Sequence, residues 1–166
     1  DLRSLNEKEA GQSGFVQSTQ DGNEFALGDG RPVRFWAVGS EIYGQSSGEI
    51  AKHVRFLAKI GVNLVRLHTQ IAPKSQGSKI TDVDTKEIDG IWRFVAAAKK
   101  EGIYTTISPY WANAKNVDGW GIAGYSGTTD LWGLLFFDET LQGGYKAWAR
   151  ALYARTNPYT QIPLSQ

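Results

Sequence analysis

Several side chains that could bind a ligand or take part in catalysis follow three hydrophobic segments of the sequence, at the points where predicted strands end. They carry a carboxylate, a guanidinium, an imidazole and aromatic rings: Glu41, Tyr43, Arg66, His68, Tyr110 and Trp111. Reactive groups gather at the carboxyl ends of the strands in parallel α/β folds. Arg66 can orient a carboxylate and keep it ionised, and His68 can donate to a substrate hydroxyl or to a carboxylate. We therefore predict that these side chains line one site.

The aromatic residues of the chain indicate the kind of ligand that this site would take. The flat faces of Tyr43, Tyr110, Trp111 and Trp120 suit stacking on the C–H face of a sugar ring. Each residue also has a structural alternative. A single tryptophan can pack in a core, the arginine can belong to a structural ion pair, and the histidine can anchor a loop.

The strand expected at residues 63–68 is the centre of this arrangement. Residues 64–67 are apolar apart from Arg66, as in a strand that is covered on both faces. A buried arginine is costly unless a carboxylate or several acceptors meet it. The carboxylate expected at the neighbouring strand end, Glu41, is the nearest candidate partner.

Strands and helices alternate along the predicted chain after an amino-terminal hairpin. Residues 1–14 are polar with little pattern, and we expect an extended or partly ordered lead-in. The Asp-Gly pairs at 21–22 and 29–30 predict tight turns between short strands. Residues 33–38 are longer and more apolar, so we expect them to form the first strand of a buried sheet.

Three helices are predicted between and after the later strands. Capping boxes, Ser46 with Glu49 and Asp84 with Glu87, mark the first two helix starts. The third follows a long loop, and the glycine pair at 143–144 weakens the prediction of its start. This alternation implies parallel strands, in a doubly wound sheet or a (β/α)8 barrel. A barrel needs about 250 residues, so this chain would hold about three of its eight units.

Composition excludes several classes of function. The net charge is +1, so no strong field attracts nucleic acid or an anionic membrane. No apolar run approaches the ~20 residues of a membrane span. With 2 His and 0 Cys, a transition-metal site is not expected. A G-x-G-x-x-G match at 119–124 lies in a predicted loop instead of a strand-to-helix turn, so we predict no nucleotide cofactor.

Segments spread along the chain resemble glycoside hydrolases of family five and their clan A relatives, the cellulase-like (β/α)8 enzymes. Residues 63–68 resemble their second barrel strand, and residues 34–39 resemble the first strand after its hairpin. Residues 99–104 resemble the junction into the third strand, and 157–160 the segment just before the fourth. The resemblance implies that residues 15–166 are the amino-terminal part of a single (β/α)8 barrel domain.

The resemblance also implies what the chain lacks. In that family the acid/base glutamate ends strand four and the nucleophile ends strand seven, so neither catalytic glutamate is in this chain. Arg66 would stand beside the nucleophile, and His68, Tyr110 and Trp111 would line the sugar site. The parent protein would be a retaining glycoside hydrolase cleaving O-glycosidic bonds in a β-linked polysaccharide, secreted or periplasmic. The 166-residue chain alone, which begins at Asp1 and is expected to be trimmed or partial, would be inactive.

Other interpretations remain open at this point. The expected partners are an oligo- or polysaccharide and the remaining barrel strands, supplied by further chain or by self-association. The main alternative is a non-catalytic carbohydrate-binding module that uses Tyr43, Trp111 and Trp120. A small doubly wound enzyme with a phosphorylated ligand is a weaker one, since no phosphate-cradling loop is evident.

Overall fold

The structure is a computed structural model with mixed α/β architecture, and it describes residues 1–42, 44–109, 120–125, 131 and 133–166. The strands are β1 (Gln17–Ser18), β2 (Phe25–Ala26), β3 (Pro32–Val33), β4 (Ala37–Ser40), β5 (Leu64–His68) and β6 (Tyr104–Ser108). The helices are α1 (Ser47–Lys59), α2 (Thr85–Lys100) and α3 (Glu139–Tyr153). Short 3-10 turns cover Arg3–Leu5 and Leu134–Phe136.

The chain divides into two compact units. The first comprises Asp1–Leu67 and Arg93–Ile107, and the second comprises His68–Trp92 and Ser108–Gln166. None of the helices seen in the described residues has the length and apolar character needed to cross a membrane.

The first three strands form a small antiparallel sheet in the order β1-β2-β3. Both Asp-Gly turns form as the sequence predicts. Gly22 and Gly30 take positive φ angles of 71° and 85°, which glycine adopts without steric cost. The Gly22 amide donates to the Thr19 carbonyl and the Gly30 amide to the Leu27 carbonyl, each within a turn. The predicted hairpin is therefore confirmed.

The strand predicted at 33–38 is wrong in its bounds, because the segment divides between two sheets. Val33 ends β3, and β4 begins only at Ala37. The side chain of Asn63 explains the break: its Oδ1 accepts from the Trp36 amide at 2.7 Å and its Nδ2 donates to the Arg34 carbonyl at 2.8 Å. An amide side chain thus occupies backbone groups that a continuous strand would pair with another strand.

The other three strands form a sheet in the order β4-β5-β6. Strands β4 and β5 are parallel, with Gly39 beside Arg66 and Val38 beside Val65. On β5, Val65 and Leu67 are fully buried, whereas Arg66 is exposed. The expectation of a strand covered on both faces is therefore wrong. Side chains alternate between the faces of a strand: Val65 and Leu67 are buried on one face, whereas on the other Leu64 and His68 are half-buried and Arg66 is exposed.

The helix starts follow local capping chemistry. Ser46 accepts from the Glu49 amide, and the Glu49 carboxylate accepts from the Ser46 amide, so the first capping box is confirmed. At α2, Asp84 accepts from the Glu87 amide at 3.1 Å. The Asp84 amide donates instead to the Ile71 carbonyl at 2.9 Å, and the Glu87 carboxylate lies 3.6 Å from the Lys74 ammonium.

Helix α3, for which the sequence predicts no defined start, begins at Glu139 with Asp138 as its amino-terminal cap. Its buried face includes Leu141, Trp148 and Leu152. Gly144 lies on this face, where a Cβ atom would stand 2.6 Å from Cγ1 of Ile80. A glycine that lowers helix propensity is therefore retained where a chain segment approaches the helix closely.

Candidate functional site

The candidate site in the first unit is an uncovered face of the parallel sheet. In β4, Ala37 and Gly39 are exposed, and Gly39 pairs in register with Arg66 on β5. The Tyr104 amide donates to the Asn63 carbonyl at 2.9 Å, and the Thr69 amide to the Ser108 carbonyl at 3.0 Å. Because these bonds join the two ends of the strand pair, Thr106 of β6 lies beside Arg66 and is also exposed. We call Ala37, Gly39, Arg66 and Thr106 the open face.

The opposite face of the same sheet is covered. Val65 and Leu67 are 0% exposed. Ser40, which pairs in register with Leu67, places its Oγ 3.3 Å from Nε2 of His53 on α1. Helix α1 therefore packs on this side of β4, and the open face is the other side.

The environment of Arg66 differs from the one expected from the sequence. The sequence predicts a buried guanidinium in need of a carboxylate, but the side chain is exposed on the open face. Solvent can hydrate an exposed guanidinium, so the cost that called for a partner within the strand is small. Its neighbours in register are the small residues Gly39 and Thr106, and a Cβ at Gly39 would meet no atom within 4 Å. The arginine is exposed on this face, and its guanidinium is a planar fork of donors of the kind that binds a carboxylate or a hydroxyl-rich ligand.

The remaining predicted site residues fall in different places. Glu41 is exposed directly after β4, and within the described part of the chain it is not seen in an ion pair with Arg66. His68 ends β5, belongs to the second unit and is half-buried. Tyr43, Tyr110 and Trp111 lie outside the described residues. The structure therefore brings the Arg66 strand position and the end of β4 into one sheet, and it describes nothing about three of the predicted aromatic residues.

Trp120 has a structural environment. It is 7% exposed, and its Nε1 donates to the Ser78 carbonyl at 2.9 Å. Its ring lies 6.1 Å from the ring of Trp148 at an interplanar angle of 55°. The prediction of an exposed sugar platform at Trp120 is therefore not met: its ring is packed in the second unit and its N–H anchors a loop.

Two further indoles anchor backbone carbonyls in the same way. Nε1 of Trp148 donates to the Ile80 carbonyl at 2.8 Å, and Nε1 of Trp92 donates to the Leu152 carbonyl at 3.1 Å. Buried tryptophans usually pair their N–H group. Sequence reasoning missed these roles because the acceptors are backbone atoms 60 or more residues away, which no local pattern reveals.

An exposed aromatic pair was also missed by sequence reasoning. Phe136 and Phe137 are 78% and 85% exposed, directly before the α3 cap. Backbone bonds hold this turn: the Phe136 amide donates to Gly133 and the Phe137 amide to Leu134. The signal available in the sequence was the apolar run at 134–137, just before the apolar face of the third predicted helix. Adjacent exposed rings offer apolar surface of the kind that ligands use.

Two hollows of the described residues are bordered by none of the predicted site residues, although one of them reaches Ala37 of the open face. In the first unit a hollow of about 600 Å³ is bordered by Leu5, Phe35, Trp36 and Asn63 at the start of the parallel sheet. In the second unit a polar hollow of about 690 Å³ lies at the start of α2. Lys74, which borders it, is engaged by Asp84 at 3.0 Å. In the described ranges no group of three or more acidic or histidine side chains could hold a metal ion.

Comparison with known proteins adds no relative. No protein-family model matches the chain, and a search of curated proteins found no match either. A functional assignment for this chain therefore depends on its residues and their geometry.

Proposed function

We propose that the chain supplies the first three strand-helix units of a (β/α)8 glycoside hydrolase that acts on a β-linked polysaccharide. In this proposal the open face lies toward the inside of the barrel, and the carboxyl ends of the strands form part of the sugar-binding cleft. The two catalytic glutamates come from residues outside this sequence. The 166 residues alone are then inactive.

One observation carries the proposal: one face of the parallel sheet is fully buried at Val65 and Leu67, whereas the other is exposed at the four residues of the open face. In a doubly wound fold helices cover both faces of the sheet. In a (β/α)8 barrel helices cover the outer face, and the inner face meets side chains of the other strands. An uncovered inner face with small and polar residues supports the barrel.

The chemistry of the open face fits a supporting role in glycoside hydrolysis. Arg66 can hold a neighbouring carboxylate ionised through charge-assisted hydrogen bonds. A retaining glycosidase needs two carboxylates about 5–5.5 Å apart, one as nucleophile and one as acid/base. Glu41 is a single exposed carboxylate at the end of β4 and cannot fill both roles. Arg66 is therefore assigned to positioning and charge stabilisation, and catalysis requires further strands.

The carbohydrate-binding module is the second candidate. It depended on aromatic platforms at Tyr43, Trp111 and Trp120, and Trp120 is 7% exposed with its ring against Trp148. The exposed pair Phe136 and Phe137 could replace that platform. Sugar binding without hydrolysis, even when the remaining strands are restored, would favour the module.

A binding and turnover experiment tests the proposal. The chain is titrated with β-linked gluco-oligosaccharides and the intrinsic tryptophan fluorescence is followed, while a reducing-sugar assay measures hydrolysis. We expect weak binding, no hydrolysis, and an affinity at least tenfold lower for Arg66→Ala, about 1.4 kcal/mol. Arg55→Ala is the matched control, because Arg55 lies on α1, on the covered side of the sheet, and its side chain is 53% exposed. Turnover by the isolated chain, or equal affinities for the two variants, would overturn the proposal.

A further inference from the structure

Residues 1–14, here called the strap, close the ends of two helices in the first unit. The Leu2 amide donates to the Lys59 carbonyl at the end of α1, and the Ala10 amide donates to the Lys99 carbonyl near the end of α2, both at 2.9 Å. The last carbonyls of a helix have no partner within it. The strap therefore supplies a donor to the Lys59 carbonyl and adds a second one to the Lys99 carbonyl, which also accepts from the Gly102 amide at 3.1 Å. Between these points, Nδ2 of Asn6 donates to the Val62 carbonyl at 2.9 Å.

The carboxylate of Glu7 is the centre of this arrangement. Its side chain is 4% exposed. It accepts from the Tyr104 hydroxyl, from Oγ of Ser13 at 2.9 Å and from the Gly11 amide at 3.3 Å. The Arg31 guanidinium lies 3.8 Å away. Glu7 thus joins the strap to β6 through Tyr104 and to the β2–β3 turn through Arg31.

Apolar contacts contribute little to holding the strap. Among its residues only Ala10 is buried, at 7% exposed, while Leu2 and Leu5 are 47% and 74% exposed. Segments with few buried apolar contacts open locally at low free energy. The attachment of the strap therefore depends mainly on polar groups, and a buried carboxylate with several donors contributes more than an exposed pair.

The strap can pack in this position only because the residues beneath it, Gly102 and Gly28, have no side chain. A Cβ at Gly102 would lie 2.0 Å from the Glu7 carbonyl oxygen, and a Cβ at Gly28 would lie 2.0 Å from the Ser13 carbonyl oxygen. Both glycines let the strap backbone approach α2 and the hairpin closely. The closed position is therefore a specific docked state with defined contacts.

We infer that the strap is a releasable lock on the amino-terminal end of the parallel sheet, held closed by the charge of Glu7. When that charge is removed, the strap opens as a unit while the sheet and α1 stay folded. The charged and titratable groups around it are Arg31, which also pairs with Asp29, and Tyr104; Lys99, from α2, donates instead to the Ala10 carbonyl and lies near Glu9.

Hydrogen exchange on the full chain tests the lock. Glu7→Gln keeps the shape of the side chain and removes its charge, and Tyr104→Phe removes one donor to it. In each variant we expect exchange at the Leu2 and Ala10 amides, which donate to helix carbonyls, to accelerate at least tenfold, with unchanged exchange at interior amides of α1 such as Leu57. The Gly11 amide is not a reporter, because it donates directly to the Glu7 carboxylate and to the Tyr104 hydroxyl. Glu9→Gln is the control, because Glu9 is 53% exposed and its only described ion pair, with Lys99, has a distance of 3.7 Å.

The remaining outcomes contradict the lock. If exchange at Leu2 and Ala10 is unchanged in Glu7→Gln, the charge does not hold the strap. If strap and α1 amides accelerate by the same factor, or the variant fails to fold, the strap is part of the global fold and does not open separately. An equal effect of Glu9→Gln would show that any loss of acidic charge in the strap has the same result.

Discussion

A methyl group added at Gly144 should destabilise the chain, whereas one added at Gly143 should stabilise it. Both glycines lie inside α3. A Cβ at Gly144 would stand 2.6 Å from Cγ1 of Ile80 and 3.0 Å from its carbonyl oxygen. That carbonyl accepts from Nε1 of Trp148 at 2.8 Å, so it cannot shift freely. A Cβ at Gly143 would meet no atom within 4 Å.

The change in the free energy of unfolding has two parts, helix propensity and overpacking. Replacing glycine by alanine inside a helix gains about 1 kcal/mol of helix propensity at either position. Gly144→Ala additionally places a carbon inside contact distance of Ile80, and overpacking of this kind costs about 1–3 kcal/mol. Since the propensity gain is common to both variants, the difference in their free energies of unfolding isolates the overpacking cost. We expect Gly144→Ala to be about 1–3 kcal/mol less stable than Gly143→Ala.

Urea unfolding measures this difference directly. The midpoints of the two variants are compared at a common slope, so that a shift in midpoint reports stability alone. If both variants were stabilised equally, Ile80 could not lie against α3 as described, and the explanation of Gly144 would be refuted.

Three further predictions follow from single contacts. Burial raises the pKa of Tyr104 to about 12, so stability should hold below pH about 10 and fall as pH rises toward 12; ultraviolet titration of the chain against Tyr104→Phe checks this. Ser46→Ala should cost about 0.5–2 kcal/mol by urea unfolding, with Ser47→Ala near neutral, because only Ser46 caps α1. Trp120→Phe should cost about 1–3 kcal/mol by leaving the Ser78 carbonyl unpaired, without changing sugar affinity.

Local chemistry was readable from the sequence where a few neighbouring residues decide the outcome. The Ser46–Glu49 box and the Asp-Gly turns depend on side chains within three residues of the groups they satisfy. The mixed α/β class and the parallel pairing of β4 with β5 also follow from the alternation of patterns along the chain.

Long-range contacts were not readable. The start of β4 depends on Asn63, whose side chain accepts a hydrogen bond from the Trp36 amide. The two residues are 27 positions apart in the sequence. The exposure of Arg66 depends on whether anything covers the second face of β5, and an apolar run contains no information on that point. The sequence alone is compatible with Trp120 either stacking on a sugar or holding a loop. The hydrogen bond from its N–H to the Ser78 carbonyl, which decides between the two, is visible only in the structure.

The central claim is that the open face lies toward the inside of a barrel, and that Arg66, near the carboxyl end of β5, borders the sugar-binding cleft. Titration of the isotopically labelled chain with β-linked gluco-oligosaccharides, followed by backbone amide chemical shifts, tests it most directly. We predict that the shifts concentrate on Gly39, Arg66 and Thr106, the neighbours in register on that face. Shifts confined to other surfaces, such as Phe136 and Phe137, or no shifts at saturating sugar, would contradict the claim.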